Sequence, residues 1–460
     1  MLTPILKGVM NMAKDPFQQL DVIRNASLKG KIITDCYRLM YNKKLWFKAY
    51  TELYPNARNM LAKRTKAASL HGPVLKGIDD IIEQLKAGTF YFESVSRAHF
   101  PKINGKQQIV QAPNFKDTLV QEVIKIILEN VFEPIFSNNS HGLREGSCCH
   151  TALSQIKNTW HGITWCMAVN LESFYEQMDH TVLLKLISKK INDRRFLLII
   201  QNALTCGVLK TRMRQKTFSC TPQSCMLSSV LANIYLHELD LFMDNTQRIK
   251  YVRYTGSFVV GIVGSKQMTY EKKNDIMCFL HESLNLNLND ETTHITHLNR
   301  PVPFLGYEFR KYNRIRTHKS TIQLEIPKTK IVKFANEKGY GNVDNFKIVH
   351  RKKLVNNSEL EILNTYNTEL RAIANYYKLA NNYHQLNSLF YLAQSSFIKT
   401  IANKRRSTSS KVFSNMKKHK QGSLCLVGTD KQGNEKIQQF VKLKDLPKYK
   451  HVNGSRFICP

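Results

Sequence analysis

Apolar residues recur at helical spacing in several stretches of the first 245 residues. This spacing predicts amphipathic helices, and Gly88 and Pro134 mark where two of them end. The stretches with this pattern are residues 34–60, 76–88, 114–135 and 228–245. A further helical pattern rich in Lys and Arg covers residues 180–209.

Extended segments alternate with these helices. Two arms around Asn104-Gly105 have the composition of a tight β-hairpin. The apolar run 165–175 predicts a buried strand. Residues 249–254 and 258–264 predict two more strands, joined through Thr255-Gly256-Ser257. This order of helices and strands indicates an α+β protein.

The C-terminal pattern and the length of the chain indicate further domains. From about residue 350 the pattern is wholly helical, and the tail beyond 420 returns to short strands punctuated by Gly. A chain of 460 residues exceeds one ordinary core, which predicts two or three domains.

No run of eighteen apolar residues occurs, so we expect no membrane span. The N-terminus shows no targeting pattern, so we expect the protein to act where it is made.

The charge of the chain indicates its class of partner. Lys and Arg number 68 against 35 Asp and Glu, which gives a formal net charge of +33 and a pI near 9.7. Such an excess repels itself and favours binding to a polyanion. The charge is spread along the chain rather than gathered on one amphipathic helix, which favours nucleic acid over a membrane surface.

The ten cysteines do not form a framework of disulfides or metal ligands. Cys148, Cys149 and His150 are adjacent, but no second pair of ligands lies near them. Small buried thiols in a reducing compartment explain them better than a zinc site does. We therefore predict no metal site.

Six sequence blocks resemble the group II intron maturase and reverse transcriptase family over nearly the whole chain, and they occur in the family's order and at comparable spacing. They are GTFYFESVSRAHFPKINGK, VQEVIKIILENVFEPIFSNNSHGLREG with SCCHTAL, TPQSCMLSSVLANIYLHELD, YVRYTGSFVVG and RPVPFLGYEF. Residues 361–413 resemble the family's thumb, called domain X.

The resemblance implies a right-hand reverse-transcriptase fold of fingers and palm, followed by an all-helical thumb. It implies a basic helical extension over residues 1–75, fingers and palm over 76–330, domain X over 331–420 and a short tail over 421–460. The tail shows no resemblance to the family's HNH endonuclease, which would bring His and paired Cys ligands.

The family's metal-binding carboxylates are replaced in this chain. Polymerase chemistry uses carboxylates to hold two Mg²⁺ ions. The family's positions for them carry Asn170, Gly256 and Ser257 here. Glu172, Glu176 and Asp179 follow the first strand, but no acidic residue lies between Asp244 and Glu271. We therefore expect a catalytically inactive protein that is not an enzyme.

The resemblance then implies a maturase, which binds structured intron RNA and promotes splicing by the RNA itself. No protein cofactor is needed, and we expect neither a DNA substrate nor a membrane. The substrate would be an organellar group II intron, or a related group III intron. A structural RNA-binding subunit of an organellar ribonucleoprotein such as the ribosome is the alternative. We expect a plastid (chloroplast) location, with the mitochondrion as the alternative, because the family's short maturases without polymerase activity are common in plastids. The abundance of Lys, Asn and Ile, which have A/T-rich codons, is typical of an organellar genome.

Basic and aromatic residues identify the candidate RNA contacts. Residues 346–420 carry a net charge of +11 and interleaved tyrosines, a combination suited to phosphates and unpaired bases. For Tyr376 and Tyr377, core packing is an equal alternative, and Arg144 could pair with an internal carboxylate. The predicted RNA-binding residues are Lys43, Lys44, Lys63, Arg64, Lys102, Lys106, Arg144, Arg371, Tyr376, Tyr377, Lys399, Lys404, Arg405, Arg406 and Lys411.

Overall fold

A computed structural model provides the structure of the chain. It describes residues 15–54, 68–93, 96–101, 107–112, 114–171, 174–206, 226–288, 292–313, 320–417, 424–429 and 435–446. The mixture of helices and strands along this part of the chain confirms the predicted α+β class.

The helices and strands are numbered in chain order. The helices are α1 Pro16–Leu28, α2 Cys36–Leu39, α3 Lys43–Leu53, α4 Ala68–Ala87, α5 Phe115–Phe132, α6 Cys149–Thr159, α7 Phe174–Gln177, α8 His180–Ser188, α9 Arg194–Thr205, α10 Met226–Asp244, α11 Lys266–Leu284, α12 Lys328–Lys338, α13 Glu359–Tyr376, α14 Leu386–Lys404 and α15 Ser409–Lys417. The strands are β1 Ser96–Pro101, β2 Gln107–Ala112, β3 Trp165–Asn170, β4 Ile249–Tyr254, β5 Ser257–Ile262, β6 Thr293–His297, β7 Val302–Phe304, β8 Tyr307–Asn313, β9 Ser320–Glu325, β10 Gly341–Asn342, β11 Lys347–Ile348, β12 Cys425–Thr429 and β13 Glu435–Gln439.

A four-stranded antiparallel sheet in the order β4-β5-β3-β6 lies at the centre of the fold. Successive side chains of a strand point to opposite faces. In β3, Met167 and Val169 therefore join one hydrophobic core, while Cys166 and Ala168 join another. Burial of both faces explains why β3 is a continuous apolar run rather than an alternating one.

The two hydrophobic cores draw on different parts of the chain. The first contains the buried faces of α5 and α10 with helices from the N-terminal region. The second contains the three-stranded sheet β7-β8-β9, the helices α13 and α14, and apolar residues around the β12-β13 hairpin. The central sheet therefore joins both cores.

Several predicted helices are interrupted in the structure. The stretch 34–60 contains two helices, because the side chain of Asn42 accepts a hydrogen bond from the Lys44 N–H (3.1 Å) and caps a new helix. The stretch 180–209 also contains two helices, because Asp193 caps α9. The prediction that residues 331–420 are all-helical is wrong, since β10 and β11 pair within that range.

Asp117 links the start of α5 to the preceding segment. Its carboxylate is 4% exposed and accepts a hydrogen bond from the backbone N–H of Glu93 at 3.1 Å. Burial raises the pKa of Asp117 from 3.8 to about 6. The folded state therefore holds this proton more tightly than the unfolded chain does.

This pKa shift predicts a pH-dependent effect of the substitution Asp117→Asn. The contribution of Asp117 to stability is present below pH 4 and is lost as the pH rises through about 6. We compare the free energy of unfolding of Asp117→Asn with that of the unsubstituted chain. This difference should favour the variant more at pH 8 than at pH 4, by on the order of 2 kcal/mol. Urea unfolding of both proteins at the two pH values measures this difference. An equal effect at both values would contradict the prediction.

Candidate nucleic-acid interface and the turn between the central strands

Asn170, Gly256 and Ser257, which the resemblance predicts at the carboxylate positions, lie together at one end of the central sheet. Asn170 and Ser257 are direct cross-strand partners, and the Ser257 hydroxyl donates a hydrogen bond to Asn170 Oδ1 at 2.8 Å. The backbone N–H of Leu171 donates to the carbonyl oxygen of Gly256 at 3.0 Å. Thr255, in the same turn, has a positive φ of 53°.

The turn at residues 254–257 is packed closely against the loop at residues 137–146. A Cβ atom on Gly142 would lie 2.2 Å from the backbone nitrogen of Thr255, so only glycine fits at this approach. The N–H of His141 donates to the carbonyl oxygen of Arg253, which adds the loop to the edge of β4. The position of the turn therefore depends on this loop.

Arg253 on β4 organises the polar contacts beneath the turn. Its side chain is 0% exposed, and all five of its N–H groups have acceptors. Nε and Nη2 donate to the two oxygens of Asp240 on α10, at 2.7 and 2.6 Å. The remaining donors reach Asn233 (3.0 Å), the carbonyl oxygen of Thr255 (3.1 Å) and Ser140 (2.7 Å).

The described residues at the turn do not fit a pair of Mg²⁺ ions. Asn170 and Ser257 offer neutral oxygens that bond to each other, whereas Mg²⁺ in such sites is held by carboxylates. Asp179 caps α8, and its carboxylate also accepts a hydrogen bond from Asn285, which lowers its pKa. Glu172 lies outside the described residues. Within the described ranges, no three His, Cys, Asp or Glu side chains gather as a metal site.

A second feature lies in the C-terminal half, where residues 345–358 run alongside α14. The Lys399 Nζ donates to the carbonyl oxygen of Ile348 at 3.2 Å, and Lys404 Nζ donates to that of Val355 at 3.0 Å. Between them, the N–H of Arg351 donates to Thr400 Oγ1 at 3.0 Å. We call residues 345–358 and 386–406 the basic seam.

The basic seam is strongly positive. Each of its two segments contains four Lys or Arg and no Asp or Glu. Glu369 forms a two-bond ion pair with Arg351, and Glu359 forms one with Arg405. The exposed cations of the seam include Lys347, Lys352, Lys353, Lys399 and Arg406. Flexible cations that are not held in ion pairs suit a phosphate backbone.

The predicted RNA-binding cations are distributed over several surfaces. Lys399, Lys404, Arg405 and Arg406 lie in the basic seam, and Arg371 and Lys411 are exposed on α13 and α15. Lys43 and Lys44 are exposed on α3 but pair with Asp79 (2.5 Å) and Asp15 (3.3 Å). Lys63, Arg64, Lys102 and Lys106 lie outside the described residues.

Three of the predicted RNA-binding residues make contacts within the fold. Arg144 is largely buried and pairs with Glu133 at 2.9 Å, as its alternative interpretation required. Tyr377 is 0% exposed and therefore has no ring face for a base. Tyr376 is half-buried, and its hydroxyl donates to the carbonyl oxygen of Leu305 at 2.8 Å. Both rings support the positive-φ turn at Leu305-Gly306.

The sequence pattern did not identify two exposed aromatic residues of the basic seam. Phe346 is 48% exposed and Tyr391 is 61% exposed. Their ring centroids are 6.0 Å apart. The sequence carried one signal for Tyr391, since it precedes Lys399 by eight residues in α14 and both fall within one broad stripe of the helix. This arrangement differs from that of the buried tyrosine positions on α13.

Comparison with known proteins identifies the family. Residues 100–309 match the family model for reverse transcriptase (RNA-dependent DNA polymerase), and residues 319–453 match the model for type II intron maturase. The chain is 33% identical to the group II intron-encoded protein LtrA of Lactococcus lactis subsp. cremoris, over 88% of this chain and 80% of that protein. The chain belongs to the group II intron-encoded protein family. The predicted resemblance is confirmed.

More distant relatives include an intron protein and a mitochondrial intron maturase. The chain is 25% identical to an uncharacterized 91 kDa protein in the cob intron of Schizosaccharomyces pombe, over 86% of this chain and 57% of that protein. It is 23% identical to nuclear intron maturase 1, mitochondrial, of Arabidopsis thaliana, over 43% of this chain and 40% of that protein. The predicted plastid location has no support among these relatives, whereas the mitochondrial alternative fits them.

The prediction that the chain is not an enzyme is contradicted by these comparisons. Residues 100–309 belong to a domain family of RNA-dependent DNA polymerases. The predicted loss of carboxylates at Asn170, Gly256 and Ser257 rests on the resemblance alone, and it does not remove the domain from that enzyme family. The maturase domain and the relatives support a role in splicing.

Among the described helices, none is both long and apolar enough to cross a membrane.

Proposed function

We propose that this chain binds the RNA of a group II intron in an organelle and assists its splicing. The observation that carries the proposal is the match of residues 319–453 to the type II intron maturase family, because this range contains the whole basic seam. A maturase domain with several exposed cations on one seam has the chemistry to bind a folded RNA.

In this proposal the intron RNA supplies the catalytic groups and the protein favours the active RNA fold. Folding brings phosphates close together, and cations of the basic seam reduce their repulsion. A protein that binds the active fold more tightly than other folds raises its population by that difference in affinity. The two hydrophobic cores that share the central sheet provide a rigid support for such a surface.

The proposal includes the family's domain arrangement and a compartment. We assign fingers and palm to residues 76–330 and the maturase thumb to residues 331–420, with the basic extension before them and the short tail after them. The mitochondrion is the favoured compartment, since the relative from Arabidopsis thaliana is a mitochondrial intron maturase by name.

Crosslinking in the organelle tests the proposal. The tagged protein is crosslinked to RNA by ultraviolet light, and the bound RNA is sequenced with and without removal of the protein from the cell. We expect reads concentrated on one or a few group II introns, whose unspliced transcripts accumulate when the protein is removed. Reads concentrated on ribosomal RNA, with normal intron splicing, would contradict the proposal and favour a structural subunit of a ribonucleoprotein.

A further inference from the structure

Phe346 and Tyr391 form an exposed aromatic pair on the basic seam. The two rings come from different elements, the turn before β11 and the helix α14, and meet at 67° with centroids 6.0 Å apart. Burial of exposed aromatic rings against a partner is favourable in water. Their exposure in the free protein leaves the pair available to a ligand with a flat apolar face.

The backbone at Phe346 is held in a conformation that large side chains rarely adopt. Its φ is +50°, in the left-handed region. The hairpin leaves little freedom here, since a Cβ atom on Gly341 would lie 1.9 Å from the carbonyl oxygen of Lys347. Asn345 Oδ1 also accepts a hydrogen bond from the Lys347 N–H at 3.2 Å. A strained backbone that displays an exposed ring is typical of a ligand-binding position.

Cations flank the aromatic pair. Lys347 follows Phe346 directly and is exposed. Lys399 is eight residues beyond Tyr391, about 12 Å further along α14, and its Nζ donates to the carbonyl oxygen of Ile348, two residues after Phe346. The nearby Asp344 is paired with Lys328 at 2.7 Å. Together these residues suit a ligand that carries both a planar apolar group and neighbouring anions.

We propose that Phe346 and Tyr391 form a subsite that stacks an unpaired base of the intron RNA, with Lys347 and Lys399 contacting the phosphates on either side. This inference rests on the proposed function and adds the chemistry of one contact to it. Bases in RNA loops and bulges expose flat faces that stack on aromatic side chains, while the backbone supplies the anions. A paired base in a helix would not expose such a face.

Binding assays on the full chain test the subsite. The probes are a fluorescent single-stranded RNA of mixed sequence and the same RNA with its central bases removed. The variants are Phe346→Ala, Tyr391→Ala and the conservative Tyr391→Phe. The control is Tyr270→Ala, which removes a similarly exposed tyrosine on α11, outside the seam. Thermal unfolding of each variant establishes that it is folded.

We expect each alanine variant to bind the intact RNA about tenfold more weakly, with Tyr391→Phe and Tyr270→Ala close to the unsubstituted chain. The slope of affinity against salt should stay unchanged, because no phosphate contact is removed. Removal of the central bases from the RNA should weaken its binding to the unsubstituted chain. It should have little further effect on binding to the alanine variants.

Two results would overturn the subsite. Alanine variants that bind the intact RNA as tightly as the unsubstituted chain would show that the pair does not contact RNA. Equal binding of intact and abasic RNA by the unsubstituted chain would show that no base is stacked. Failure of the proposed function gives a different result, in which the unsubstituted chain binds no intron RNA in the organelle.

Discussion

The substitution Arg253→Met is expected to lower the free energy of unfolding by about 3–5 kcal/mol, because it leaves the buried carboxylate of Asp240 without its cationic partner. Asp240 is 0% exposed, and both of its oxygens accept hydrogen bonds from Arg253. Methionine fills a similar length but donates no hydrogen bond. Asn233, Ser140 and the carbonyl oxygen of Thr255 would lose donors in the same step.

Urea unfolding of the two proteins measures this loss. Arg300→Met is the matched control, since Arg300 is exposed in a turn and its removal should change stability by less than about 0.5 kcal/mol. The double variant Arg253→Met with Asp240→Leu removes both charges, so it should be more stable than Arg253→Met alone. A single variant as stable as the unsubstituted chain would contradict the role assigned to this pair.

The Arg253 cluster also explains how the turn at residues 254–257 keeps its place. Arg253 contacts α10 through Asp240 and the loop at residues 137–146 through Ser140. The same side chain holds the carbonyl oxygen of Thr255, in the turn itself. Every N–H group of Arg253 is therefore paired, and these bonds tie the turn to both α10 and the loop.

Local sequence signals predicted much of the fold, and tertiary contacts account for what they missed. The apolar run of β3 and the hairpin composition around Thr255-Gly256-Ser257 correspond to strands in the structure. The break at Asn42 had a local signal, a capping residue before a helical run, that the longer apolar pattern obscured. The β10-β11 ladder had no such signal, because two strands of two residues are too short for an alternating pattern.

The candidate site was less predictable than the fold. Charge counts identified the C-terminal basic region, since phosphate binding requires many cations and no special geometry. The roles of single residues depended on tertiary partners that no sequence pattern identifies. Arg144 meets Glu133 and residues of its own loop, and Tyr377 reaches the carbonyl oxygen of Gly306, which lies 71 residues away. No periodicity within α13 distinguishes such a ring from one that faces RNA.

The second large effect is expected at the exposed lysines of the basic seam. We expect the triple variant Lys347→Gln, Lys352→Gln and Lys399→Gln to bind intron RNA about 50-fold more weakly at 0.15 M salt. Each contact of a lysine with a phosphate of single-stranded RNA adds about 0.7 to the slope of log affinity against log salt. Three lost contacts should therefore reduce that slope by about 2.

Filter binding of the intron RNA from 0.05 to 0.5 M salt measures both quantities. The matched control is the triple variant Lys185→Gln, Lys250→Gln and Lys266→Gln, which removes the same charge from exposed positions outside the seam. If the seam lysines contact phosphates, the two variants differ although their net charges are equal. If binding depends only on total charge, they lose affinity equally, and the seam is not the interface. The slope separates these effects from base stacking, because loss of Phe346 or Tyr391 lowers affinity at every salt concentration by the same factor.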